Sequence, residues 1–340
     1  MARILALLGF LILGIAAQAE AQSIDIEERV EVAVSQHVVP GFARFASTAG
    51  ALSKAAEHTC DPKSETLRNA FHTAFDDWVR ISHLRFGPSE VENRAYGVAF
   101  WPDTRGKTPK ALSGLITGES PAGLSAEDLM QQSIAVQGFY ALEYLLFDEA
   151  FWDMGEASYR CSLIRNLAEG IAFRAEAIYA DWTDVFAAEM LRPSATGTYR
   201  SSKEAAGELV KAVSTGLQFT DEARLARPLG TFDRPRPKRA EAWRSERSLR
   251  HVILSLEAVG DLATLLAGET SAAERIASEF DTALANANFD DPVFAGVSES
   301  IGRLKIENLQ QYVYGLRETA VSELVAVLDV SIGFNALDGD

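Results

Sequence analysis

The sequence predicts an all-α protein made of two helical bundles. Apolar residues recur at helical spacing through most of the 340 residues, and alternating strand patterns are hardly visible anywhere. Stretches rich in Gly and Pro, such as Gly87-Pro88 and Pro193 to Gly197, separate the periodic segments. The length exceeds what one helical core usually organises, so two bundles are expected, over 22–192 and 198–332, with a short tail at 333–340.

The chain opens on Met1-Ala2-Arg3 and runs apolar from Ile4 to Ala17. It then offers Ala17-Gln18-Ala19 and Ala19-Glu20-Ala21 as small-residue cleavage sites. Residues 1–21 therefore read as a secretory signal peptide, and in a bacterium the destination is the periplasm. The apolar run is shorter than the roughly 18 residues of a membrane span, and no later segment reaches that length without charges, so no stable membrane span is expected. The formal charge of −16 argues against nucleic acid as a partner, because that role needs a basic face.

In the first half, Ile24 to His58 reads as a long amphipathic helix kinked or broken at Pro40. Asp61-Pro62 suits the N-cap and first position of a second helix running to about Phe86. On it His72, Asp76 and His83 share a face, but the two His stand about 16 Å apart along the axis and cannot share a metal ion. The five His of the chain show no paired ligand spacing. From Gly87 to Gly123 the pattern dissolves into a long loop whose aromatics pack back onto the bundle. Ser125 caps the next helix, with Asp128 in the place of a capping-box acid, and that helix is expected to carry the central motif. A further helix spans about Glu156 to Leu191.

The second half starts with a helix from Ser201 to about Leu225. A Pro-rich basic segment, 224–250, follows and reads as a solvated loop paired with the protein's own acids. Ala242 to Ala267 forms the next helix, with Glu257 as a lone acid among apolar neighbours. Leu256-Glu257 echoes Leu142-Glu143, as duplication of one bundle would produce. Helices over about 271–287 and 292–330 complete the chain.

The central motif is Gly138-Phe139-Tyr140-Ala141-Leu142-Glu143, inside the apolar run Ile134 to Phe147. A helix this apolar is buried on most of its circumference, so Glu143 is paired, bound to something, or held protonated. Tyr140 lies three residues earlier on the same face, with Cβ atoms roughly 5–6 Å apart. Two oxygen ligands would then converge, although a core Tyr and a structurally bonded Glu fit the same spacing. Gly138 costs the helix about 1 kcal/mol relative to Ala, which suggests that something approaches its backbone closely.

Two cysteines occur, Cys60 and Cys161. In an oxidising compartment they are expected to form one disulfide, contributing on the order of 4.7 kcal/mol for a loop of about 100 residues.

Three stretches resemble the imelysin family. They are Trp78 through Arg85-Phe86-Gly87-Pro88 to Phe100-Trp101-Pro102-Asp103, the Gly138 to Glu143 motif, and the helix start Ser245-Glu246-Arg247-Ser248. The closing Gly333 to Asp340 tail adds to them. The family signature is Gly-x-His-x-x-Glu; here Tyr140 stands at the His position while Glu143 is kept. The resemblance implies two duplicated helical bundles with the signature helix near their interface. It also implies a cleft lined by Arg85, Trp101 and Asp103 from the first half and by Ser245, Ser248 and His251 from the second. Proteins of this family are catalogued as peptidases and often accompany iron uptake.

Three functions follow as expectations. In the first, Tyr140 and Glu143 bind iron, because phenolate and carboxylate suit Fe(III), with Asp103, His251 or Glu257 completing the shell and an iron or haem uptake system as partner. In the second, the chain is a metallopeptidase; no His-Glu-x-x-His is present, and no catalytic residue is assigned. In the third, the cleft is a metal-free module for a small ligand, peptide or protein.

Overall fold

The computed structural model describes residues 24–331. The signal peptide and the tail lie outside the described residues. Helices dominate throughout, and the isolated bridge between Thr231 and Arg234 is the extended pairing found among the described residues. The all-α expectation holds.

Helix α1 (Ile26–Ala33) continues through a π turn at Val34–Val38 into α2 (Val39–His58). Pro40 neither breaks nor ends the helix. Its missing N–H and its ring fall just beyond the widened turn, where the i−4 ladder is already interrupted. The second helix, α3 (Glu65–Ile81), starts later and ends earlier than the sequence suggests. Ser64 is its N-cap, while Asp61 organises the preceding turn by accepting from the Lys63 amide. His83 therefore sits beyond the helix that carries His72.

The presumed long loop after Gly87 is largely helical. It contains α4 (Arg94–Val98) and α5 (Lys107–Thr117), followed by α6 (Ala126–Met130), which Ser125 caps as expected. The central motif is not on that helix. It forms a separate one, α7 (Gly138–Phe147), because Gly138 takes φ +71° and turns the chain out of extended Gln137. A Cβ at Gly138 would lie 2.1 Å from the Val98 carbonyl oxygen. The close approach is by the protein's own backbone. Gly138→Ala is therefore expected to destabilise the fold by more than about 1 kcal/mol, since both the left-handed φ and the contact oppose it. An unchanged urea midpoint would refute this.

Helix α8 (Ala157–Asp181) passes through a second π turn, Trp182–Phe186, into α9 (Ala187–Leu191). In the second half, α10 (Ser202–Phe219) runs into a third π turn, Thr220–Leu225, and α11 (Ala226–Leu229). The next helix, α12 (Ser248–Ala267), starts six residues later than expected from Ala242, because residues 240–245 are folded inward as irregular chain. Two long helices, α13 (Ser271–Asn286) and α14 (Ser300–Leu328), close the fold.

Helices α2, α3, α7 and α8 pack as one bundle, and α10, α12, α13 and α14 as another. Helix α3 lies against α12 across the junction, and α1 leaves the first half to pack on α10 and α12. At the junction Phe75 stacks on Phe139, with centroids 4.4 Å apart and planes 2° from parallel, and meets Tyr140 and His251 edge-on. Cys60, just beyond α2, is bonded to Cys161 in α8, 101 residues away. No described helix is long and apolar enough to cross a membrane.

Candidate functional site

The site is organised around a residue that sequence reasoning did not single out, Glu241. It lies in the inward-folded chain before α12 and is 3% exposed, nearly as deep as Glu143 and deeper than Tyr140. Its Oε1 accepts from the Tyr140 hydroxyl at 2.6 Å, and its Oε2 accepts from Arg224 Nε at 2.6 Å and lies 3.2 Å from His251 Nδ1. The π turn at the end of α10 turns Arg224 inward, where its Nη1 also reaches Ser255 at 3.0 Å and Thr220 at 3.3 Å. Ser248 ties the segment down from the other side by donating to the Glu241 carbonyl at 2.6 Å. The network around this ion pair thus joins α7, the π turn and α12.

Glu143 belongs to a separate arrangement one helical turn on. Its Oε1 accepts from the Ser245 amide at 3.0 Å and the Ser245 hydroxyl at 2.7 Å. The expected convergence of Tyr140 and Glu143 on one point is not found, because each reaches a different part of the 241–245 chain. Electrostatics separates the two acids as well. Burial pushes the Glu241 carboxyl up, but Arg224 and His251 override it and hold it well below the usual carboxylate range. At Glu143 burial prevails over the Ser245 hydrogen bonds and the shift is upward. Burial, then the Glu241 charge, raises the Tyr140 phenol well above its ordinary value, so it is a donor rather than a phenolate.

Between the bundles opens a cavity of about 460 Å³, lined among others by Arg85, Trp101, Tyr140, Phe219, Arg224 and Glu241. Trp101 lies near-parallel to Tyr140 at 6.3 Å and edge-on to Phe219 at 5.8 Å. Of the residues the resemblance pointed to, Arg85, Trp101 and Tyr140 line this cavity. Glu143, Ser245, Ser248 and His251 form the buried layer behind it. Asp103 does neither: it accepts from the amides of Arg105 and Thr108 and anchors the start of α5. Glu257, read as a buried acid, is a partly exposed partner of Arg80 at 2.8 Å. It therefore does not mirror Glu143.

The basic segment does pair with the protein's own acids, as expected. Arg244 binds Asp148 at 2.7 Å, and Arg247 and Arg250 both bind Asp76. It is not a solvated loop throughout, since Arg224 and residues 240–242 are buried. Charge counting could flag the excess of Arg here, but not which Arg turns inward.

A hard cation such as Fe(III) needs oxygen donors free to face one point. Tyr140 is committed to Glu241, Glu143 to Ser245, and the Arg224 guanidinium already stands beside Glu241 as the neutralising charge. The donor set as folded does not fit a ferric or haem iron. Among the described residues no group of three or more His, Cys, Asp and Glu is placed to hold a metal ion.

Sequence spacing also missed a histidine pair. His37, in the first π turn, and His83, beyond α3, meet Nε2 to Nε2 at 3.1 Å. Burial lowers His37 to about 4 and, with His37 and Arg224 adding to it, takes His83 well below its ordinary value. Such groups bind fewer protons folded than unfolded, so their stabilisation is full above about pH 6.5 and is lost as pH falls towards 4. At about 1.4 kcal/mol per unit, His37 contributes on the order of 3 kcal/mol. The urea midpoint should drop over that window, and His37→Gln, which keeps an acceptor for His83 but does not titrate, should flatten the drop. A full drop in the variant would reject the assignment.

An all-helical, two-bundle chain with its signature helix against an inter-bundle cavity defines a class of two-bundle helical folds. This chain belongs to the imelysin family: the family model, Imelysin (peptidase M75), matches residues 38–320. Among solved structures it is similar to an imelysin-like protein from Psychrobacter arcticum 273-4, with 18% identity, TM-score 0.75, and 92% of this chain and 98% of that one covered. It is also similar to a protein from Parabacteroides distasonis ATCC 8503 provisionally named iron-regulated protein A precursor, with 12% identity, TM-score 0.75, and 91% and 97% covered. At these identities the likeness is one of fold. No curated protein matches.

Proposed function

We propose that this chain is a non-catalytic binding protein of the periplasm that serves iron acquisition and takes its ligand in the cavity between the two bundles. The observation that carries the reading is the cavity itself: it is of small-molecule size, aromatic-walled, and floored by the Tyr140–Glu241–Arg224 network. Catalysis finds less support. The Tyr140 hydroxyl is engaged with Glu241, and Glu143 is held by Ser245 in the layer behind the cavity, so neither polar residue of the motif stands free as a base or nucleophile toward it. The iron context rests on the family and on the name of the Parabacteroides relative, and the periplasmic address rests on residues 1–21.

Protein purified from its native periplasm tests the proposal by native mass spectrometry and metal analysis. An organic adduct that is lost in Trp101→Ala is expected. Stoichiometric iron that is lost in Tyr140→Phe or Glu143→Ala would replace this reading with direct metal binding. A deletion strain should grow slowly only when iron is limiting; equal growth in both media would remove the iron context.

A further inference from the structure

The charges lining the cavity fall into three pairs, each closed on itself. Arg224 holds Glu241 at 2.6 Å, Arg85 holds Glu90 at 2.6 Å, and Lys211 lies 4.0 Å from Glu208. A site for a bare cation leaves acids unmatched, and a site for an anion leaves bases unmatched. Here neither sign is in excess. The surface between the pairs is aromatic, with Trp101 in ring contact with both Tyr140 and Phe219 and the Tyr96 face covered by Arg85 at 4.6 Å.

A second, independent observation concerns His83, which also lines the cavity and is 4% exposed. Its Nδ1 is buried without a hydrogen-bond partner. Its Nε2 faces His37 Nε2, and one proton is shared between them. The Nδ1 of half-buried His37 is not among the buried unpartnered atoms, so it can carry a proton in contact with water. The arrangement that orphans no buried N–H places that proton on His37 and gives His83 its single proton at Nε2, directed to His37. His83 Nδ1 is then a buried lone pair without a donor, on a residue that lines the cavity. Burial keeps the ring neutral, which preserves that lone pair.

We propose that the cavity's ligand is a planar aromatic molecule of zero net charge that donates one N–H or O–H to His83 Nδ1; this rests on the inter-bundle cavity being the binding site. The aromatic wall supplies stacking surface, the closed ion pairs disfavour a charged ligand, and the unmatched acceptor fixes orientation. A cavity of about 460 Å³ admits a fused-ring compound.

Three probes separate these elements: 2-naphthol, its methyl ether 2-methoxynaphthalene, which lacks the donor, and anionic 2-naphthoate. Titration calorimetry on the folded secreted chain is expected to show 2-naphthol binding at least about tenfold tighter than either of the others, the size of one orienting hydrogen bond. His83→Phe keeps the ring and should erase the preference for 2-naphthol over its ether. The wild-type comparison decides the matter even if that variant does not fold. Equal binding of naphthol and ether, tighter binding of naphthoate, or no binding of any probe overturns the proposal. Trp101→Ala separates the two levels of the argument. Binding that is lost in Trp101→Ala but shows no donor or charge preference overturns the ligand class and leaves the cavity as the site. Binding unaffected by Trp101→Ala removes the cavity, and the ligand class with it.

Discussion

Replacing Arg224 by Met should lower the unfolding free energy by about 3–5 kcal/mol, because it leaves the Glu241 carboxylate buried without its cation. Both side chains are nearly inaccessible, at 3% and 4% exposure, so water cannot take the guanidinium's place. Tyr140 and His251 remain beside the carboxylate and do not replace a fixed charge. The variant should also reverse its pH response at this position. In the wild type the Glu241 carboxyl is depressed, so its contribution is present above the ordinary carboxylate range and is lost on acidification; without Arg224 its folded pKa rises above the unfolded value and mild acid becomes stabilising. The double variant Arg224→Met/Glu241→Gln, which keeps an acceptor for Tyr140, should recover most of the loss. Urea unfolding of the three proteins at two pH values checks this. A single-variant loss below about 1 kcal/mol would mean that the pair does not stabilise the fold.

The second large effect is expected at the disulfide. Replacing Cys60 and Cys161 by Ser releases a loop of about 100 residues in the unfolded chain, which the chain-entropy relation values at about 4.7 kcal/mol. The bond joins the end of α2 to the start of α8, two helices that pack along each other, so the native contacts should survive its loss. The change should therefore appear as a lower denaturation midpoint with unchanged helical circular dichroism. Equal midpoints with and without reductant would show that the crosslink does not constrain the unfolded state.

Local patterns carried much of the architecture. The helical period predicted the all-α class, and the cap residue Ser125 and the start placed near Ser201 marked helix starts that the structure keeps. The apolar run around Tyr140 correctly announced a buried helix, and resemblance on three motifs led to the family. Boundaries failed where irregular chain is buried. Residues 242–245 read as the start of a helix and Glu241 as part of the solvated basic segment, yet residues 240–245 fold inward to deliver Glu241 and Ser245 to α7.

What the sequence by itself determined, then, is which segments are helices and which of their faces are apolar, since both depend on interactions within a few residues. Tertiary structure alone decided which acid is paired. Glu143 and Glu257 have similar apolar neighbours in sequence, but one is buried on Ser245 and the other meets Arg80 near the surface. It also decided that Tyr140 reaches Glu241 across 101 positions and that His37 meets His83 across 46. No periodicity encodes those meetings, because hydrogen bonds and ion pairs act over about 3 Å in space while the chain that brings their partners together is free in sequence separation.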